Sequence, residues 1–203
     1  MNFKAVSMLS ATLLIAACQT SATTGSSDNR TTASWAFLEG GDIRFSENNG
    51  VCPMLIGAFT RTDMSTLPSF QEDGSMRIDG ICTYRAADAG AHITTYFYET
   101  NGSDQQVELL NVVRAISNSQ PVTPLEAESD ACSTMVNEAI GAQTTDELNC
   151  VVMSAPEVRT MTYAVLTSDG SYFTKLRATA RPATPHATSL TEDAIAAFYA
   201  AQP

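Results

Sequence analysis

The side chains best suited to catalysis or metal binding are scarce in this sequence, which has five cysteines and two histidines among 203 residues. His92 lies on the polar face of a predicted strand, and His186 lies in a predicted proline-rich loop. A Ser-His-Asp or Cys-His hydrolase needs a histidine beside its nucleophile, yet no nucleophile motif such as G-x-S-x-G is present. The motif H-E-x-x-H, an EF-hand loop and a glycine-rich phosphate loop are also absent. We therefore expect no catalysis, no resident metal and no cofactor.

One predicted strand, 172–181, carries an unusual stripe of basic side chains. The alternation of a strand brings Lys175, Arg177 and Arg181 to the same face. In an acidic chain, such a stripe can hold an anionic ligand or an acidic partner. It is equally typical of the solvated face of an edge strand, where basic side chains block pairing with other strands. From the sequence alone we prefer the edge-strand interpretation.

A second predicted strand, 91–99, places His92, Tyr96 and Tyr98 on one face. Aromatic rings with polar tips can form a binding surface. They also pack beneath helices, and packing under a helix or under the N-terminal segment is the interpretation that we prefer. These three residues and the three basic residues of the stripe are our six candidates for contact with a ligand or partner.

The charge of the chain excludes some classes of partner. The sequence has 11 basic and 22 acidic side chains, for a formal net charge of −11. Nucleic-acid binding relies on a basic footprint that this chain lacks, and the same deficit argues against adhesion to anionic lipid through a polybasic surface. A length of 203 residues with 44% hydrophobic residues fits a globular protein with one buried core.

The N-terminal residues MNFKAVSMLSATLLIAAC have the pattern of an export signal. A single charge, Lys4, precedes a mainly apolar run over 5–17. That run is too short to span a hydrocarbon core of ~30 Å, but it suits the hydrophobic region of a secretory signal. The residues IAAC at 15–18 resemble the lipobox of bacterial lipoproteins, in which an aliphatic residue and two small residues precede a cysteine. The resemblance covers these eighteen residues and no part of the globular chain.

The resemblance implies that Cys18 receives a diacylglyceryl group and that the signal is cut just before it. Several acyl chains, at about 0.8 kcal/mol per buried methylene, anchor a protein stably in a membrane. In many members of the family an aspartate after the cysteine retains the protein in the inner membrane. Here Gln19 follows instead, which favours the outer membrane, with the protein facing the periplasm. The alternative is an ordinary secreted protein with a cysteine at the cleavage site.

Lipidation of Cys18 leaves four cysteines, and in an oxidising compartment an even set indicates two disulfides. Four cysteines allow three pairings, and proximity in the sequence favours Cys52–Cys82 and Cys132–Cys150. A zinc site with four cysteine ligands would need closely spaced CxxC pairs. The intervals of 30, 50 and 18 residues contain none.

The chain divides into three predicted parts. Residues 1–17 form the signal peptide. The lipidated Cys18 and the small, polar residues up to 34 form a flexible tether, because they cannot bury enough apolar surface to become ordered. Residues 35–203 form a single globular domain.

The elements that position the candidate residues can be predicted from patterning. The clearest strands cover 76–85, 91–99, 158–167 and 172–181, and the last two flank the hairpin turn Ser168-Asp169-Gly170. Shorter strands are predicted at 42–45, 54–60 and 148–153. Three helices are predicted from N-terminal caps, at Ser103-x-x-Gln106, Thr123-Pro124-Leu125-Glu126 and Ser189-x-x-Glu192.

These elements predict an α+β fold, in which an antiparallel sheet built from hairpins carries about three helices mainly on one face, with two disulfides. We expect a lipid-anchored component of the cell envelope that binds a protein or small ligand, or that serves as a structural part, without catalysis. The alternative is an envelope hydrolase that uses a pair of carboxylates, since glycoside hydrolysis requires only their geometry. With 22 acidic residues, the sequence assigns no such pair.

Overall fold

A computed structural model of the chain describes residues 34–70, 76–86, 90–142, 148–182 and 184–203. The predicted signal peptide, Cys18 and the predicted tether up to residue 33 lie outside the described residues. Ser34 is buried, and its carbonyl accepts a hydrogen bond of 2.8 Å from the amide of Ser46. This residue therefore packs with the globular domain that follows it.

The described strands form two antiparallel sheets. The smaller sheet has three strands in sequence order: β1 (Trp35–Phe37), β2 (Ile43–Phe45) and β3 (Val51–Cys52). The larger sheet has eight strands: β4 (Leu55–Ile56), β5 (Phe59–Phe70), β6 (Met76–Arg85), β7 (Ala91–Glu99), β8 (Thr123–Leu125), β9 (Cys150–Ala155), β10 (Thr160–Ser168) and β11 (Tyr172–Ala180). Their spatial order is β4-β5-β6-β7-β11-β10-β9-β8.

Three α-helices accompany the sheets in the described chain: α1 (Gln105–Ser119), α2 (Glu126–Ala139) and α3 (Pro185–Ala200). Helices α2 and α3 pack with the smaller sheet on one face of the larger sheet, and α1 packs on the opposite face. The α+β class, with two of three helices on one face, is as predicted from the sequence. None of the described helices combines the length and the apolar composition needed to cross a bilayer.

The two faces of the larger sheet differ in character. We call the face that carries Tyr84, Ile93 and Leu176 the core face, because these side chains are completely buried in the main hydrophobic cluster. We call the opposite face, which carries Tyr96 and Lys175, the groove face. Because side chains alternate along a strand, each strand contributes to both faces.

Aromatic rings fill the space above the core face. Phe97 of β7 lies with its ring centroid 6.3 Å from that of Phe45 in the smaller sheet and 6.3 Å from that of Phe198 in α3. The smaller sheet approaches closely at Gly80, where an added Cβ would lie 2.8 Å from the ring of Phe45. The sheet packing therefore requires glycine at this position.

Both disulfides form with the predicted pairing. Cys52–Cys82 joins β3 of the smaller sheet to β6 of the larger one, with an S–S distance of 2.01 Å. Cys132–Cys150 joins α2 to β9, with an S–S distance of 2.03 Å. Each bridge ties an element above the core face to a strand of the larger sheet. All four cysteines are buried.

The starts of the helices differ from the predicted caps. In α1 the cap is Asp104 rather than Ser103, and its carboxylate accepts from two amides of the first turn. Helix α2 starts only at Glu126, because Thr123–Leu125 pairs with β9 as a strand. Helix α3 starts five residues earlier than predicted, with Thr184 as its cap, so His186 lies in its first turn and not in a loop.

Candidate functional site

The basic stripe lies in the middle of the larger sheet. Strand β11 pairs with β10 on one side and with β7 on the other, so the edge-strand interpretation is wrong. Lys175 lies opposite Tyr96, and Thr179 lies opposite His92. The two candidate groups, which the sequence presents as separate strands, therefore share the groove face.

Lys175 is held over two aromatic rings. Its ammonium nitrogen lies 4.3 Å from the ring centroid of Tyr96 and 5.0 Å from that of Tyr98. The hydroxyl of Tyr98 donates to the carboxylate of Glu108 in α1 at 2.8 Å, which fixes this ring beneath the helix. Burial lowers the pKa of Lys175. The charges of Glu108 and Asp79 oppose this shift, and the charge of Arg177 adds to it. Cation–π contact stabilises a partly buried ammonium of this kind.

A cavity of about 290 Å³ lies between α1 and the groove face. We call it the helix cavity. Apolar side chains of α1 form one wall, and Tyr96 with the basic residues of β11 forms the other. Its lining includes Tyr96, Glu108, Val112, Ile116, Lys175 and Arg177. Helix α1 stays in place because Leu109 and Ile116 are buried against the sheet.

A second cavity, of about 320 Å³, lies further along the same face. We call it the basic cavity. Its lining includes His92, Gln120, Thr160, Arg177, Thr179 and Arg181. These side chains come from β7, from the end of α1, from β10 and from β11 with the residue that follows it. No carboxylate of the described chain lines this cavity, and Arg177 lines both cavities.

Two buried polar atoms at the basic cavity have no protein partner. They are Nε of Arg177 and Oγ1 of Thr160, whose residue is only 2% exposed. Arg61 shows the usual arrangement, since its guanidinium donates to the carbonyl oxygens of Cys52 and Gly41. Buried polar groups are almost always hydrogen-bonded in folded proteins. Four other buried polar atoms among the described residues also lack a partner, among them Nε1 of Trp35 and the hydroxyl of Tyr84. What distinguishes the atoms of Arg177 and Thr160 is that their residues line a cavity.

Positive charge accumulates around the basic cavity, and no carboxylate of a described residue lines this cavity. His92 lies opposite Arg85 of β6 in the sheet register. Burial lowers the pKa of His92, and the charges of Arg177, Arg85 and Arg181 lower it further. Among the described residues, no carboxylate forms an ion pair with any of these three arginines. These surroundings therefore disfavour protonation of the imidazole.

Within the described part of the chain, Glu108 is the one carboxylate among the residues that line the two cavities. The pair of carboxylates required by the alternative hydrolase does not meet in either cavity. No group of three or more histidine, cysteine or acidic residues among those described is placed to hold a metal ion. The two cavities together form a groove. This groove offers hydrogen-bond donors and positive charge, which suit an oxyanion.

Thr160 and Gln120 also belong to this site, although the sequence analysis did not single them out. A signal for Thr160 exists, because the hairpin at Ser168-Asp169-Gly170 places the start of β10 beside Arg181, at the end of β11. No local pattern indicates Gln120. Its position depends on how α1 packs against the sheet, which is a tertiary contact.

Comparisons with protein-family models, with curated proteins and with solved structures found no match to this chain. The function of the groove must therefore be inferred from its geometry and charge.

Proposed function

We propose that this protein is a lipid-anchored component of the bacterial cell envelope that binds an anionic ligand in the groove formed by the helix cavity and the basic cavity. Its anchor is Cys18, its membrane is the outer membrane, and it faces the periplasm. Its role is non-catalytic binding.

The observation that carries the binding proposal is the guanidinium of Arg177. It is partly buried, it lines both cavities, and its Nε has no protein acceptor. Leaving a buried donor unpaired costs about 1–3 kcal/mol. A folded protein tolerates such a cost most readily where the group serves a ligand, because functional sites are where proteins depart from the rules of stability.

The electrostatics of the groove support an anion rather than a neutral or cationic ligand. Lys175, Arg177 and Arg181 lie on one strand face, and His92 adds a proton-accepting group beside them. The chain as a whole has a formal net charge of −11. A local basic cavity in an acidic protein directs an anion to one place on the surface, since the rest of the surface repels it.

Two observations support the envelope location. The sequence IAAC at 15–18 resembles a lipobox, and the two disulfides are typical of proteins that fold in an oxidising compartment. Metabolic labelling with a radioactive fatty acid tests the anchor. We expect label in the wild-type protein and none in the Cys18→Ala variant, and label that persists in the variant would contradict the anchor.

Thermal unfolding of the purified full-length lipoprotein in non-ionic detergent tests the binding. We expect inorganic phosphate to raise the melting temperature above that in chloride at equal ionic strength, and the Arg177→Met variant to lose this rise. Phosphate also stabilises proteins non-specifically, so a matched control is needed. Arg44→Met removes the same charge from β2, on the opposite side of the larger sheet, and should keep the rise. An equal rise in all three proteins would refute the binding site.

A further inference from the structure

We infer that the anion held in the basic cavity is a phosphate monoester group, and that the molecule carrying it extends an apolar or aromatic body into the helix cavity. This inference rests on the proposed function, because it names the class of ligand for the same groove.

The arrangement of donors favours a tetrahedral anion. Arg177 and Arg181 approach the basic cavity from one strand, while Thr160 and His92 belong to the strands on either side. A carboxylate is planar, and a single guanidinium fork satisfies both of its oxygens. A phosphate monoester presents three strong acceptor oxygens in different directions. Donors on three adjacent strands match the three oxygens of a phosphate better than the two oxygens of a carboxylate.

The charge of the cavity favours a dianion. Two guanidinium groups converge there, and at neutral pH a phosphate monoester carries between −1.5 and −2 charges. The imidazole of His92 faces Arg85 from β6, and Arg177 and Arg181 from β11 and its continuation. A bound dianion would offset these positive charges and allow His92 to take up a proton and donate to a phosphate oxygen. Binding should therefore strengthen as the pH falls from neutral toward the second pKa of the phosphate.

The helix cavity determines the rest of the ligand. Arg177 lines both cavities, so the helix cavity lies next to the phosphate site. Val112 and Ile116 of α1 give that cavity an apolar wall, and the ring of Tyr96 lies on the opposite wall. Its volume of about 290 Å³ exceeds the ~150 Å³ at which an apolar protein cavity already admits benzene. Lys175 and Glu108, which also line this cavity, can bind a polar substituent of the body.

Calorimetric titration of the full-length lipoprotein in non-ionic detergent tests the inference with three probes: phenyl phosphate, inorganic phosphate and benzoate. We expect phenyl phosphate to bind about tenfold or more tightly than benzoate, and several-fold more tightly than inorganic phosphate. Thr160→Val removes one hydrogen-bond donor with little change of shape, and it should weaken the binding of phenyl phosphate about fivefold or more. Arg181→Gln alters an exposed residue, so the variant should fold normally. It should also weaken the binding of phenyl phosphate about fivefold or more. Arg44→Met should change nothing.

The outcomes separate this inference from the function on which it depends. If benzoate binds as tightly as phenyl phosphate and Arg177→Met abolishes both, the anion-binding groove stands and the phosphate assignment is wrong. If phenyl phosphate and inorganic phosphate bind equally, the assignment of the helix cavity is wrong. If no probe depends on Arg177, Arg181 or Thr160, both the inference and the proposed binding function fail.

A phosphate monoester can belong to a soluble metabolite or to a lipid headgroup. Short-chain dihexanoyl phosphatidic acid, compared with phenyl phosphate, distinguishes these sources. Tighter binding of the short-chain lipid would indicate a lipid headgroup as the ligand. Tighter binding of phenyl phosphate would indicate a soluble ester. Either result supports the inference. Dihexanoyl phosphatidylcholine is a phosphate diester. Equal binding of this diester would overturn the assignment.

Discussion

Replacing Arg177 with methionine should stabilise the ligand-free protein. Methionine keeps most of the length of the apolar stem and removes the guanidinium, whose Nε is buried without a protein acceptor. An unsatisfied buried donor costs about 1–3 kcal/mol, and more for a charged group. Removal of the charge also relieves repulsion with Lys175, whose pKa is lowered in part by Arg177. We expect the free energy of unfolding to rise by about 1–3 kcal/mol.

Urea denaturation in a buffer without phosphate or sulfate measures this change. For a domain of this size, 1 kcal/mol corresponds to about 2–4 °C, so the melting temperature should rise by about 2–12 °C as well. The change in the urea midpoint should occur without a change in the slope, because the folded core is the same in both proteins.

Arg61→Met provides the matched control. This arginine donates to the carbonyl oxygens of Cys52 and Gly41, so its removal leaves acceptors unpaired. Hydrogen bonds from charged donors contribute about 1.5–3 kcal/mol, and we expect Arg61→Met to destabilise the protein by at least that amount. If Arg177→Met destabilises the protein as much as Arg61→Met does, Arg177 is a structural residue and the reasoning about the groove is refuted.

Three further predictions concern the fold and the pH response. In the Cys52→Ala/Cys82→Ala protein, loss of the bridge across 30 residues should lower the free energy of unfolding by about 3–4 kcal/mol, as measured by urea denaturation; a loss below 1 kcal/mol would contradict this. Because His92 has a pKa below its ordinary value of 6.5 in the folded protein, the unfolded state binds protons more tightly, and stability should fall as the pH drops through 6.5. His92→Gln should flatten that fall in denaturation curves between pH 7.5 and pH 5, and an unchanged slope would count against the assignment. Gly80→Ala should destabilise the protein by about 1–3 kcal/mol, because the added Cβ would lie 2.8 Å from Phe45, and the double variant Gly80→Ala/Phe45→Leu should recover part of the loss.

Two of the four clearest strands, Met76–Arg85 and Ala91–Glu99, were predicted at their observed bounds. The strands predicted at 158–167 and 172–181 are observed at Thr160–Ser168 and Tyr172–Ala180, and the turn at Ser168-Asp169-Gly170 does join them. The segment predicted as one strand over 54–60 is instead a hairpin, in which β4 (Leu55–Ile56) pairs with the start of β5. The rest of β5 was not predicted, because the sequence beyond Thr60 is polar and contains Pro68. Beyond Thr60 this strand pairs with β6 alone, and the free edge tolerates proline.

The helices were predicted to exist, but their starts were not predicted correctly. A capping motif such as Thr123-Pro124 is also compatible with an extended segment, and pairing with β9 decides in favour of a strand. Likewise, Ser189 lies inside α3, because Thr184 and Pro185 begin the helix earlier. Local propensity is a weak prior, and tertiary contacts override it at element boundaries.

The candidate site was predicted in pieces and not as a site. Alternation within each strand correctly grouped the basic residues of β11 and the polar and aromatic residues of β7. The pairing of β7 with β11 joins strands far apart in the chain, and no local pattern encodes such a pairing. The sequence therefore favoured an edge strand, whereas the structure brings both groups to one groove.

The most direct measurement follows the side chain on which the account depends. In a ¹⁵N–¹H spectrum of the full-length protein, the Nε–Hε signal of Arg177 can be assigned by its absence from Arg177→Met. We predict that phenyl phosphate shifts this signal and protects its proton from exchange with water, together with the amides of β7 and β11 around the basic cavity. A saturating titration that leaves the Arg177 signal unmoved, or that shifts residues of the core face instead, would contradict the account.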